Sequence, residues 1–262
     1  MIKIKIWALF LILAMEVQAQ SGNNWPQPAG PHGDWTLETD DEIPTEFSVT
    51  TGKNILWKTK LPEGGQSGIT IWEDMVFLTV MKPIFQVKEG ESIKGSDVLA
   101  LCIDAKKGRI LWERELKGKA LSEYMYGFSD SSTPGPVTDG NHVWFYNASG
   151  NLSCFDFNGN QIWERTWNPV EDLDGIHFPF NKQFEPMISG NLIINMETYW
   201  KKDDKRTYGW NYLHGIDKKT GKTQWISEDA LTHYNTPFQS KTAEGRPAVL
   251  IGRGGHHSVP ET

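Results

Sequence analysis

The chain has 262 residues, of which 38% are hydrophobic and 23% charged, enough to bury one sizeable core and without low-complexity bias. Its formal net charge is −7, and outside the short mixed run Lys201-Lys-Asp-Asp-Lys-Arg206 it has no block of basic residues. These features exclude nucleic acid as a partner class.

Residues 1–19 read as a signal peptide. Lys3 and Lys5 precede an apolar run over residues 6–15, and Val17-Gln-Ala19 supplies a small-residue cleavage site. That run is far shorter than the roughly 20 apolar residues that span a bilayer, and no later stretch approaches that length. No Cys stands at the cleavage point, so a lipid anchor of the lipoprotein kind is not expected. The mature chain is expected in the periplasm or outside the cell, with no membrane span. Residues 20–53 form a lead-in, and its Asn24-Trp-Pro-Gln-Pro-Ala-Gly-Pro31 stretch, rich in Pro and Gly, reads as extended chain and not as a regular element.

Residues 54–262 are organised by one recurring stretch. Cys102-Ile-Asp104-Ala-Lys-Lys-Gly108-Arg-Ile-Leu-Trp112 aligns without a gap with Gly215-Ile-Asp217-Lys-Lys-Thr-Gly221-Lys-Thr-Gln-Trp225. Cys154-Phe-Asp156-Phe-Asn-Gly159-Asn-Gln-Ile-Trp163 is one residue shorter in the turn, and Thr51-Gly52-Lys-Asn-Ile-Leu-Trp57 is a partial copy. In each full copy a small residue leads to Asp, a Gly permits positive φ in a tight turn, and a strand carries Trp outward. The four Trp recur at intervals of roughly 50–60 residues, the period of a β-propeller in which each unit is a four-stranded blade.

The first Trp strand, 55–60, has no three strands before it, as expected of a strand that completes the last blade of a ring. Blade one is expected at 69–72, 75–81, 98–104 and 109–116, and blade two at 133–137, 142–147, 152–156 and 161–166. Blade three follows at 184–188, 192–198, 211–217 and 223–226, and a fourth begins at 236–240 and 247–251. Asp139-Gly-Asn141, Ser149-Gly-Asn151 and Ser189-Gly-Asn191 carry hairpin-turn chemistry. The fold class is therefore all-β, an incomplete β-propeller of about three full blades plus parts of a fourth and of the closure blade. Because residues 252–262 supply no third strand to the fourth blade, the expectation is an open arc that begins a longer protein, with self-association through its unpaired edge. A short form that closes by dimerising is the alternative.

The repeat resembles the tryptophan-docking motif (Ala-x-Asp-x-x-x-Gly-x-x-x-Trp) of pyrroloquinoline quinone (PQQ)-like propellers, and the Trp25-Pro-Gln opening resembles that of exported members. The resemblance implies that Trp57, Trp112, Trp163 and Trp225 pack between blades. It also implies that Asp104, Asp156 and Asp217 with Gly108, Gly159 and Gly221 shape the receiving turns. Cys102 and Cys154 occupy the small-residue position of successive copies, and equivalent positions on adjacent blades lie too far apart to bridge. Two buried free thiols are expected.

The long connections lie at residues 81–97, 113–132, 164–185 and 199–209, which blade geometry gathers on one face. Binding residues collect on such loops, making this face the candidate site. Tyr124, Tyr126 and Asp130 follow blade one, His177 and Asn181 follow blade two, His233 and Tyr234 follow blade three, and Arg253 and His256 lie beyond the fourth blade's second strand. His256 and His257 are adjacent and would point to opposite faces of a strand, which weakens a joint metal role. Glu171-Asp-Leu-Asp-Gly175 lacks the series of a calcium loop and reads as a solvated acidic turn. No Gly-x-Ser-x-Gly, His-Glu-x-x-His or phosphate loop occurs, so no catalytic or metal-binding residue is predicted.

Two readings follow from the resemblance. One is an exported, non-catalytic platform that binds a protein or glycan on the loop-rich face, similar to the BamB-like outer-membrane assembly factors, with no cofactor. The other is a PQQ-dependent alcohol or sugar dehydrogenase, for which the resemblance implies a quinone held against an adjacent Cys-Cys disulfide beside calcium. The two Cys of this chain are not adjacent.

Overall fold

The structure, a computed structural model, describes residues 24–83, 94–119, 122–123, 130–169, 184–199, 210–228 and 236–252. Among these residues there are strands and turns and no helix. The first sheet contains β1 (Thr70–Trp72), β2 (Met75–Met81), β4 (Val98–Asp104) and β5 (Ile110–Leu116), paired antiparallel in that order. A small ribbon of β3 (Lys94–Gly95) and β6 (Ser122–Glu123), which the sequence pattern does not announce, pairs separately. The second sheet is β7 (Val137–Thr138), β8 (His142–Asn147), β9 (Asn151–Asp156) and β10 (Gln161–Thr166). The third is β11 (Met187–Ser189), β12 (Leu192–Tyr199), β13 (Trp210–Asp217) and β14 (Thr223–Ile226), and β15 (Phe238–Lys241) pairs with β16 (Pro247–Leu250) beyond it. This is an incomplete β-propeller, with the first strands of successive sheets in contact, β1 with β7 and β7 with β11.

Position within a blade decides the residue pattern of each strand. β4 reads Val-Leu-Ala-Leu-Cys-Ile-Asp and is buried at all but its last residue, because it has strands on both edges, the second sheet on one face and Leu61 packed with Leu99 and Leu101. β5 and β10 are outer strands and alternate between half-buried and exposed residues. One apolar cluster joins Phe77, Cys102 and Leu116 of the first sheet to Val143, Phe145 and Phe155 of the second. A second joins Trp144, Leu152 and Cys154 to Ile193 and Ile216 of the third. A third sets Met187, Ile194 and Leu213 against Val249 and Ile251. The two cysteines are buried, free and assigned to separate interfaces.

Three features differ from the pattern-based reading. Residues 55–60 are extended but have no sheet partner among the described residues, since no neighbouring strand lies beside them. β7 is limited to Val137–Thr138 instead of 133–137, because Pro134 and Pro136 have no N–H to give to a ladder. Nor is the lead-in simply extended: Trp25 bridges Ile71 of β1, and turns run through residues 27–33.

Candidate functional site

The repeated stretch builds the same joint three times, twice between blades and once between residues 57–59 and the first blade. In each copy the Asp carboxylate ties its own turn, as Asp104 Oδ1 accepts from the amides of Lys106 and Lys107 at 2.9 and 3.0 Å. Asp156 does the same for Asn158 and Asn160, and Asp217 for Lys219 and Thr220. The turn closes at a Gly with φ of 68° at Gly108, 79° at Gly159 and 70° at Gly221, a left-handed conformation that excludes most side chains. Against each Gly lies the Trp ring of the preceding copy: Trp57 on Gly108, Trp112 on Gly159 and Trp163 on Gly221. A Cβ at Gly159 would sit 2.9 Å from Trp112 Cδ2.

Two hydrogen bonds complete each joint. The Trp indole N–H donates to the carbonyl just after the Asp: Trp57 to Ala105 at 2.6 Å, Trp112 to Phe157 at 2.9 Å and Trp163 to Lys218 at 3.0 Å. The residue two beyond the Trp then donates to the Gly carbonyl, Thr59 to Gly108, Arg114 to Gly159 at 2.7 Å and Arg165 to Gly221 at 2.8 Å. On its own sheet each Trp of a full copy faces the small residue across the ladder, in the pairs Cys102↔Trp112, Cys154↔Trp163 and Gly215↔Trp225. A register shift next to each pair marks a β-bulge. Trp225 departs from the expected packing between blades: it is 41% exposed, and no turn glycine of another copy lies against it among the described residues.

Of the residues expected to form a binding face, Tyr124, Tyr126, His177, Asn181, His233, Tyr234, Arg253 and His256 lie outside the described residues. Asp130 is described and is buried. Its Oδ1 accepts from the Ser132 amide at 2.8 Å and from the Ser132 hydroxyl at 2.5 Å, so the side chain holds the turn at the foot of its loop. Around it Gln66 N donates to Ser132 Oγ, Thr79 Oγ1 donates to the Ser132 carbonyl, and Ser131 Oγ shares a hydrogen bond with Ser149 Oγ. These bonds make a polar floor between the first two blades on the loop side.

Two features, one half-buried and one buried, escape the loop-based reading. Glu185, just before β11, accepts the Gly135 amide at 2.8 Å, and burial pushes its carboxyl up to about 7. Between the second and third sheets, Arg165 Nη2 donates to Glu197 Oε2 at 2.6 Å, while Asn195 Nδ2 donates to Glu197 Oε1 at 3.2 Å. His214 Nδ1 lies 3.6 Å from that same Glu197 Oε2. Burial, with Arg165 beside it, depresses His214 to about 4, so the imidazole is neutral at physiological pH. Burial lifts the Glu197 carboxyl above its ordinary range against the opposing pull of Arg165 and Asn195. The sequence signal for this group is Asn195 and Glu197 alternating with apolar residues along β12, polar side chains on an otherwise buried strand.

Burial also raises the thiols of Cys102 and Cys154 to about 12. They lie in β4 and β9, in different sheets, and are not the adjacent Cys pair seen in many of the quinone enzymes that the repeat resembles. Among the described residues no group of three His, Cys, Asp or Glu gathers to hold a metal ion. Among the described residues no helix is long and apolar enough to cross a membrane.

Repeated joints and radially ordered four-stranded sheets define the class, an incomplete β-propeller built from PQQ-like repeats. Residues 39–254 match the family described as outer membrane protein assembly factor BamB, and the chain belongs to that family. Among solved structures it is similar to BamB from Moraxella catarrhalis, with 16% identity, a TM-score of 0.40, and coverage of 74% of this chain and 47% of that one. It is also similar to the quinohemoprotein alcohol dehydrogenases of Pseudomonas putida (16% identity, TM-score 0.44, 71% and 31% covered) and Comamonas testosteroni (15%, 0.41, 70% and 31%). The chain spans less than half the length of each of these structures. No curated protein matches it.

Proposed function

We propose that the protein is an exported, non-catalytic platform that binds a protein or glycan partner on its loop-rich face. The observation that carries this reading is the family match over residues 39–254, whose description names an assembly factor. The physical support is a rigid scaffold: the blades are locked to one another by the Trp joints, and the long connections all leave from one side of it. The export segment and a periplasmic or extracellular location belong to the same reading.

The test is site-directed photo-crosslinking in the cell envelope, combined with a glycan array for the purified mature chain. Crosslinkers at Tyr126 and His177 report the loop face, and crosslinkers at Asn141 and Asn158 report the hairpin turns opposite. Discrete adducts or glycan retention that depend on the loop positions are expected. Absence of both, or equal adduct patterns from the two faces, would remove the proposal.

A further inference from the structure

The first strands of the sheets form the inner edge of the arc, and they are short, β1 and β11 having three residues each and β7 two. An inner edge strand leaves backbone donors and acceptors without a ladder partner on one side, and buried backbone groups must be paired. The lead-in supplies those partners. Trp25 exchanges both backbone hydrogen bonds with Ile71 of β1 at 2.8 Å, and Asn24 Oδ1 accepts the Glu73 amide at 2.7 Å. The next residue, Pro26, accepts the Thr138 amide of β7 at 2.8 Å through its carbonyl. Gln27 follows, and its Oε1 accepts the Ile188 amide of β11 at 3.2 Å. Three consecutive residues thus serve three consecutive blades.

The segment continues to the fourth. Gln27 is 5% exposed and folds its own chain back by donating from Nε2 to the Gly30 carbonyl at 3.2 Å. Gly30 and Gly33 take φ of 78° and 71°, and a Cβ at Gly33 would lie 3.2 Å from the Gln239 amide of β15. Gln239 in turn donates from Nε2 to the Ile188 carbonyl at 2.7 Å, closing the contact between the third sheet and the fourth. Thr138 and Ile188 sit where the first strands approach their hairpin turns, the side opposite the long connections.

We propose that residues 24–33 are a strap: they clip the first strands of successive blades in order and cover the inner edge on the hairpin side, leaving the inner edge approachable from the loop face. The spacing of the blades is then set in part by a segment that precedes all of them in the chain. This goes beyond the partner-binding reading and stands whether or not a partner is found.

Residue-resolved hydrogen exchange on the full mature chain tests it. In the parent, the amides of Trp25, Ile71, Thr138 and Ile188 are expected to be protected while those of residues 39–45 exchange freely. Gln27→Ala is expected to speed exchange at Ile188 by tenfold or more, a position in the third blade, without changing the amides of β5. Gln27→Glu keeps an acceptor and is expected to restore most of that protection. Unprotected Trp25, Thr138 and Ile188 amides in the parent overturn the proposal whatever the variants do. So does an Ile188 rate unmoved by Gln27→Ala, or an acceleration spread evenly over β5 and β10.

Discussion

The joint between blades is made of few atoms, and each residue type in it has one task. Asp ties the turn through its carboxylate, Gly provides positive φ and a surface without a Cβ, and Trp covers that surface while its N–H finds a carbonyl. Trp112 and Trp163 are engaged on both their own sheet and the next, whereas Trp225 is 41% exposed. Trp112→Ala and Trp163→Ala are therefore expected to cost about 3 kcal/mol each, and Trp225→Ala about 1 kcal/mol or less, in denaturant titrations of the purified variants. Equal losses at all three positions would contradict this division of roles. At Cys102 and Cys154, burial and a thiol raised to about 12 leave almost no thiolate, the reactive form. Both should resist an alkylating reagent at pH 8 in native buffer and react within minutes once the chain is unfolded, with mass spectrometry as the readout.

At the scale of strands, the sequence was most readable where one side chain acts alone. Alternating Glu and Trp positions along β5 and β10, and the unbroken apolar run of β4, are period and burial signals that survive without knowledge of neighbours. The β-bulge beside each Trp was not readable, because the extra residue is defined by the partner strand and leaves no composition mark. Nor was the task of Arg114 and Arg165, which depends on a carbonyl in another blade. The candidate face was legible only as long connections rich in polar and aromatic residues, since which of these meet is a property of loop conformation. Arg165 illustrates how a buried pair behaves: it donates to Glu197, to Gly221 and to Thr223. Arg165→Met is expected to cost about 3 kcal/mol or more by leaving Glu197 without its cation, and Glu197→Gln less, because the single amide oxygen of Gln can still accept from Arg165. The double variant should recover part of the Arg165→Met loss, and strictly additive losses in a double-mutant cycle would show that the pair is not coupled.

Across the whole molecule, among the described residues, Glu185 and His214 titrate in opposite senses, with Glu197 raised in the same sense as Glu185, and their balance shapes how stability varies with pH. Glu185 has a carboxyl near 7 in the folded protein against 4.5 for an ordinary one, so between those values the folded state holds more protons than the unfolded state. Stability from this group is therefore greatest below about 4.5 and is lost as pH rises through 7. His214 works the other way: its folded value near 4 against 6.5 means the unfolded state binds the proton first, and stability is lost as pH falls from 6.5 toward 4. Where the windows overlap, the two slopes cancel in part, and the parent should show a shallow maximum instead of a steep limb. Each group alone can contribute a slope of up to about 1.4 kcal/mol per pH unit, so removing one should expose the other. Glu185→Gln keeps an acceptor for the Gly135 amide, removes the loss above 5, and should make stability rise from pH 4 to 6.5 and then level off. His214→Gln should leave a curve that declines steadily as pH rises from 4.5 to 7. Urea midpoints measured every half unit from pH 4 to 8 decide the matter, and a Glu185→Gln curve running parallel to the parent would mean that this carboxyl is not held near 7 in the folded chain.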